Sequence, residues 1–269
     1  MKRVGRHIPA YIQIAGLWPQ IAYTYRFGNA VDLFSLLLKV YLLKMVFTAV
    51  YAGRDTVDGI PLRQVITVIT LANLQLWLMS PMIASLIQQR VRTGQLALDL
   101  ARPVPFLGQL LAHQIGSTVA ALPFVLLALP FALALGGLGL PAAGAAGLLY
   151  LISLLLGYGI MVLMGLLLGL LAFWILEISG LRIIYDFANQ FFAGALVPLW
   201  FFPPALRSVA GLLPFQAQTF IPLALYTGQI PSNRAVAALG QQLFWLIALS
   251  GVAWLLWRRA QHRIVIQGG

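Results

Sequence analysis

Ionisable side chains are few in these 269 residues, and their spacing limits what chemistry they can do. The carboxylates are Asp32, Asp55, Asp58, Asp99, Glu177 and Asp186, most of them in links or at the ends of apolar runs rather than paired within one run. General acid–base catalysis needs two such groups converging on one cavity, and no such constellation is visible. The histidines (His7, His113, His262) are far apart and lack an HxxxH spacing, and there is no cysteine. A metal site is therefore not expected, and thiolate ligands and disulfides are excluded. The chain has no GxxxxGK[ST] loop to cradle ATP phosphates, and neither an HExxH nor a GxSxG motif. An enzyme carrying its own catalytic centre is not the reading these residues favour.

Three polar groupings remain. The first is the basic stretch Gln89 to Pro103, with Arg90, Arg92 and Arg102, Gly94 before a short leucine-bearing segment (Leu96, Leu100), and Asp99 within it. It reads either as a short surface helix offering arginines to a partner or as a solvated basic loop. The second is Lys39 and Lys44, inside an apolar run. A charge at mid-membrane costs about 2.5–3.5 kcal/mol, so each should face protein or water. Either they snorkel or pair with a carboxylate such as Asp186, or one lines a pathway and favours anionic groups. Five residues apart, they lie ~140° apart around a helix, so one narrow stripe cannot hold both. The third is Asp186, Asn189 and Gln190, which either line a vestibule or bond across neighbouring helices.

The elements that must hold these groups are helices in lipid. Hydrophobic residues make up 61% of the chain and charged residues 9%, with a mean hydropathy of +0.91. Soluble domains carry roughly a quarter charged residues, so this chain cannot cover a water-facing surface. Apolar runs cover Val31 to Tyr51, Leu62 to Ile87 across Pro81, His113 to Leu135, Gly147 to Ile175, a fifth ending near Phe202, and Ala235 to Trp257. Each is near the ~20 residues a crossing requires. The start, Lys2-Arg3-Val4-Gly5-Arg6, has the charge of a signal peptide. Pro9, Gln13, Pro19 and Gln20 interrupt the residues after it, and this favours an amphipathic helix in the inner interface with Tyr11, Ile12, Leu17 and Trp18 toward lipid. Gly165-x-x-x-Gly169 is a weak signal for close helix approach or dimerisation. Trp174, Trp200, Trp245, Trp254 and Trp257 read as an interfacial belt.

With the N-terminus inside, the inner side holds Lys2, Arg3, Arg6, Arg26, Arg90, Arg92, Arg102, Arg182, Arg258, Arg259 and Arg263. The outer side holds Arg54, Arg63, Arg207 and Arg234, so the count is eleven against four. That bias places both termini in the cytoplasm. The net charge of +11 fits cytoplasmic loops against anionic lipid better than nucleic acid. Between Pro203 and Arg234, prolines 203, 204, 214, 222 and 231 cut an apolar stretch into pieces too short to cross ~30 Å of hydrocarbon. A pair of short helices that dip in from the outer face and return is favoured over an ordinary loop. No internal repeat is visible, which disfavours an internally duplicated secondary transporter.

In this frame the chain resembles the bacterial ABC-2-type permeases. The resemblance rests on G-x-L-x-x-x-L-x-R-P at Gly94, Leu96, Leu100, Arg102 and Pro103, and on Tyr25-Arg26-Phe27-Gly28-Asn29. It also rests on Gly194-x-x-x-Pro198-Leu199-x-x-Phe202-Pro203, Leu213-Pro214-Phe215, Gln242-x-x-Trp245 and the terminal Gln267-Gly268-Gly269. It implies an all-α polytopic fold in a single transmembrane domain over 1–269. Six spans are accompanied by an N-terminal interfacial elbow helix (1–29), a cytoplasmic coupling segment (88–109) and two short re-entrant outer helices (203–234). It further implies an exporter subunit of the bacterial inner membrane, working as a dimer with the same or a homologous permease. Fuel would come from a separate pair of cytosolic ATPases holding ATP and Mg, with no cofactor in this chain. Carried over, coupling to the ATPase falls to Arg90, Arg92, Gly94, Leu96, Asp99, Leu100, Arg102 and Pro103. The pathway falls to Lys39, Lys44, Asp186, Asn189 and Gln190, and an outer gate to Pro203, Pro204, Pro214 and Phe215. The competing classes are a secondary transporter or channel that needs no ATPase, and a membrane-embedded enzyme.

Overall fold

A computed structural model describes residues 8–134, 139–142 and 144–267. The basic residues Lys2, Arg3 and Arg6, His7, most of the glycine link at 136–139 and the terminal Gly268-Gly269 lie outside the described residues. The fold is 82% helical, as the composition requires of backbone that cannot bond to water. Helix α1 (Ile8–Thr24) leads into α2 (Arg26–Tyr51). A two-residue hairpin, β1 (Thr56–Val57) with β2 (Ile60–Pro61), comes next. Then come α3 (Leu62–Leu78), α4 (Ile83–Arg92), α5 (Gln95–Ala101), α6 (Phe106–Ala134) and α7 (Gly144–Leu170). The chain continues through α8 (Ser179–Phe192), the short α9 (Pro204–Gly211), α10 (Pro214–Gln218) and α11 (Phe220–Tyr226), and ends in α12 (Ala235–Gln267).

Five helical stretches are long and apolar enough to cross a membrane: Arg26–Tyr51, Leu62–Arg92, Phe106–Ala134, Gly144–Phe173 and Ser232–Arg263. The fifth apolar run in sequence order is different. Its helix, α8, has 14 residues, or about 21 Å. It stops where Gly194 takes a left-handed φ of 79°, and a single 3₁₀ turn, Leu199–Phe201, resumes before Pro203. Gly194 and Pro198 supply the break that hydrophobicity counting does not register.

Contacts sort the molecule into two ends. At one, Tyr51 donates its hydroxyl hydrogen to the Ile60 carbonyl (2.8 Å), Gln64 bonds to the Thr227 carbonyl (3.2 Å), and Tyr226 bonds to the Gly139 carbonyl (2.7 Å). At the other, Arg92 reaches Glu177 (2.9 Å), while Trp257 stacks on Phe106 at 5.5 Å and meets Phe173 edge-on at 6.3 Å. Trp257 is thus half-buried against two neighbouring rings. Helix α1 runs alongside α6. Tyr11 lies over Gly108, Trp18 sits at Gly116, and the Trp18 indole donates to His113 Nδ1 (3.1 Å). Only Ile12 and Leu17 face outward as expected, and Tyr11 and Trp18 turn inward because the two glycines leave them room.

The second span is two helices. Pro81 cannot donate a backbone N–H, and α3 and α4 are separated by residues 79–82. Gln114 of α6 fills the gap: its Oε1 accepts from the Met82 N–H (2.8 Å) and its Nε2 donates to the Ser80 carbonyl (3.1 Å). Gln114 is almost wholly buried. From the other side, a Cβ on Gly165 would press on Pro81, and one on Gly169 on Ala84 and Ile87. The Gly165-x-x-x-Gly169 pair therefore seats α4 within the chain and is not free for a dimer contact. Gln114→Leu leaves two backbone groups unpaired at the break, at a cost of about 1–3 kcal/mol. Thermal unfolding in detergent should show a clear fall in Tm for this variant. An unchanged Tm would mean that the break has another source of support.

Candidate functional site: a polar cavity beside a broken span

A cavity of about 540 Å³ opens beside the break, walled by α2, α3 and α8. Asp32, Ser35 and Lys39 of α2 share one helix stripe on its lining, since residues three, four and seven apart fall on the same face. Opposite stand Asn73 from α3, Ser80 and Pro81 from the break, and Asp186, Asn189 and Gln190 from α8. In an otherwise apolar bundle this is a concentration of charge and amide groups at membrane depth, which lipid contact would penalise.

The side chains are tied to one another. Lys39 Nζ donates to Gln190 Oε1 (2.6 Å). The alternative pairing of Lys39 with Asp186 is not what forms: Asp186 lies 3.8 Å from Arg182, one turn away on its own helix. Asn73 donates to the Ile69 carbonyl (2.8 Å) and to the Ala195 carbonyl (2.9 Å), fastening α3 to the bend after α8. Asn189 accepts from Gln218 of α10, so the cavity wall continues into the short helices. Lys44 is half-buried on α2 and is not part of this lining, as the ~140° offset requires.

Residues Pro203, Pro204, Pro214 and Phe215 gather around those short helices. Pro204 and Pro214 occupy the first turns of α9 and α10, where a missing N–H costs nothing. Phe215 stacks on Phe192 of α8 (6.0 Å, 22° between planes). The segment has two legs, α9 and a second one interrupted at Thr219 into α10 and α11. Five consecutive residues of α11, Ile221 to Leu225, are buried, which an ordinary surface loop would not require. Gln242 of α12 rivets the second leg: it accepts from Ser153 Oγ (2.8 Å) and donates to the carbonyls of Ser153 (3.0 Å) and Ala217 (2.6 Å).

The basic stretch sits at the far end of the broken span. Gly94 takes a left-handed φ of 71°, which turns the chain from α4 into α5, a conformation that costs other residues strain. Asp99 is buried (2% exposed) and bonded by Arg90, with Arg102 at 3.4 Å. Gln109 closes the loop by donating to the carbonyls of Asp99 (3.1 Å) and Val104 (2.9 Å). Pro103 lies within this loop, among the residues that come after α5. Arg90 and Asp99 are therefore an internal anchor, while Arg92, Arg102 and Leu100 remain open to the surroundings. Leu96 faces inward, and the outward apolar tip of α5 is Leu98 (67% exposed). Leu98 is a residue that the leucine spacing alone does not single out.

Glu177, a link carboxylate without an assigned role in the sequence, clamps this end. Its carboxylate accepts from the Ser179 hydroxyl and N–H, from Gln88 Nε2 (2.7 Å) and from Arg92 (2.9 Å). The Ser179 bonds, and then Gln88 and Arg92, hold its carboxyl below the usual range. With a depressed folded-state pKa, the clamp is intact at neutral pH and is lost only as acid protonates Glu177. Such a signal is hard to read in sequence, because Gln88 and Arg92 meet Glu177 only after folding.

A mainly helical bundle with five membrane-length helices, a polar cavity and a basic, internally anchored turn at one end is that of a polytopic membrane protein. The chain matches the family model described as ABC-2 family transporter protein over residues 36–268, so it belongs to that family of ABC transporter permeases. Transport subunits of this family lack a nucleotide-binding domain of their own and generally work with an ATPase partner. A comparison with curated proteins finds no match.

The two ion pairs at the basic end should differ in weight. Removing the buried partner in Asp99→Asn strands Arg90 and should cost about 3 kcal/mol. Arg92→Gln breaks an exposed pair that solvent screens, so its effect should be small. Limited proteolysis within 93–105 should accelerate strongly in the first variant and little in the second; equal rates would remove Asp99 from its anchoring role.

Proposed function

We propose that this chain is the membrane subunit of an ATP-driven exporter in the bacterial inner membrane, with both termini cytoplasmic. Two permeases, identical or homologous, form the pathway between them, and a pair of separate cytosolic ATPases binds ATP and Mg. The observation that carries this reading is mechanical. The break at 79–82 lines the polar cavity, and the same broken span ends in the Arg90–Asp99 anchored turn. A force applied to α5 would therefore reach the cavity through α4, without having to cross a flexible linker.

In this reading α8 with residues 193–202 is the sixth crossing, and α1 is the elbow entering at the cytoplasmic surface. The legs α9 and α10–α11 re-enter from outside and gate the exit around Pro203, Pro204, Pro214 and Phe215. Asp32, Lys39, Asp186, Asn189 and Gln190 face the pathway, where Lys39 favours substrates with an anionic group. Coupling rests on Leu98, Leu100, Arg92 and Arg102 as contact groups. Gly94, Leu96 and the Arg90–Asp99 pair hold the turn in shape. ATP binding draws the two ATPases together, and the energy difference between their open and closed states biases the inward- and outward-facing forms.

The test is purification of the tagged chain from membranes with its associated proteins. A P-loop ATPase should accompany it. Leu98→Glu should weaken that association about tenfold or more, equivalent to ~1.4 kcal/mol of docking free energy. Lys39→Met should leave the association intact while altering stimulation of ATP hydrolysis by transported compounds. Transport by the chain alone, driven by an ion gradient, would replace this account with an ATPase-independent transporter.

A further inference from the structure

A second set of cavities lies at the basic end, away from the polar cavity. Between α5, the loop after it and α12 is a pocket of about 560 Å³, lined by Arg102, Pro103, Phe106 and Leu107 on one side and Trp257 and Gln261 on the other. Leu107 also lines a narrower slot of about 230 Å³ between α6, α7 and α12, whose walls include Leu111, Leu163, Ala253 and Trp254. The two therefore share a wall, one turn apart along α12 at Trp257 and Trp254. The upper pocket has arginine and amide groups at its rim, whereas the lower slot is almost wholly apolar. Arg258 lies across the Trp254 ring at 4.1 Å, which positions a guanidinium at the edge of the slot.

Charge in this region is one-sided. Asp99 and Glu177 are the carboxylates at this end; Arg90 and Arg102 engage the first and Arg92 the second, leaving these five groups at +1. Among the described residues, neither Arg258 nor Arg259 has an ion-pair partner. A basic rim above an apolar slot edged by the exposed Leu111 and Trp254 suits an amphiphile with an anionic head and an alkyl tail. A soluble anion would use only the upper half, and a neutral lipid only the lower half.

We infer that this groove is a binding site for one anionic phospholipid, its phosphate at the Arg102 and Arg258 rim and one acyl chain in the Leu107–Leu111–Trp254 slot. The site joins the loop after α5 to the C-terminal half of α12, so an occupied groove braces the proposed coupling turn against the last span. The inference rests on the proposed orientation, in which this end meets the cytoplasmic leaflet. Its test needs no ATPase and so fails or succeeds independently of the exporter reading.

Binding of dioleoyl phosphatidylglycerol and dioleoyl phosphatidylcholine to the delipidated full-length chain in detergent can be compared by native mass spectrometry, with tryptophan quenching by brominated chains as a second readout. Phosphatidylglycerol should bind at least about fivefold more tightly than phosphatidylcholine, given about 1 kcal/mol per arginine near the headgroup. Arg258→Gln should reduce that preference about fivefold without changing phosphatidylcholine binding. Leu111→Trp, placed on the outward side of the slot, should weaken both lipids. Millimolar inorganic phosphate should not displace the lipid. Equal affinity for the two lipids, insensitivity to both substitutions, or full displacement by phosphate would each overturn the inference.

Discussion

Inside hydrocarbon, a backbone polar group without a partner costs several kilocalories, and this constraint organises the chain around one point. The second span is interrupted at Pro81, and the break is viable because the Gln114 amide supplies both a donor and an acceptor there. Gly165 and Gly169 let α7 close in from the opposite side. Once the break is fixed, it determines the neighbouring placements. Ser80 and Pro81 become part of the cavity wall, α4 starts anew at Ile83, and the turn at Gly94 ends up at the basic end.

Two polar systems flank the break. On one side, Lys39, Gln190, Asn73, Asn189 and Gln218 connect α2, α3, α8 and α10 through hydrogen bonds along the wall of the polar cavity. On the other, Asp99, Arg90, Gln109, Glu177 and Gln88 fold the loop after α4 into a compact knot. Asp99 and Gln109 of the second set are buried, and their bonds hold the turn in one arrangement. Between them runs α4, ten residues or about 15 Å, with Ile83, Ala84 and Ile87 buried against α7. This short, well-seated helix, with a polar joint at each end, connects the cavity wall to the basic turn.

The helical class, the five long spans and the basic stretch are legible in the sequence, because hydropathy and charge are summed over many residues and survive ignorance of the contacts. Lys39 is legible as a group needing protein or water around it, since a lysine in an apolar run has few alternatives. Its partner is not, because Gln190 lies 151 positions away and an amide competes with a carboxylate on geometry that only folding sets. The fifth run reads as a full crossing because its apolar content is high, whereas Gly194 and Pro198 act on backbone dihedrals. Arg90 reads as a surface residue because its count with Arg92 and Arg102 describes a charge run. Burial of Asp99 separates it from them.

The central proposal is that nucleotide-driven movement of α5 is transmitted by α4 pivoting at residues 79–82. The absence of native cysteine allows paired spin labels at Arg63→Cys on α3 and Gln95→Cys on α5 without background labelling. In a complex purified with its ATPase, the inter-label distance should shift by several ångströms between the nucleotide-free and ATP–vanadate-trapped states, with a broken-span variant (Gln114→Leu) showing a broadened distribution. A distance that stays the same in every nucleotide state would contradict the lever, and with it the account of how this permease is driven.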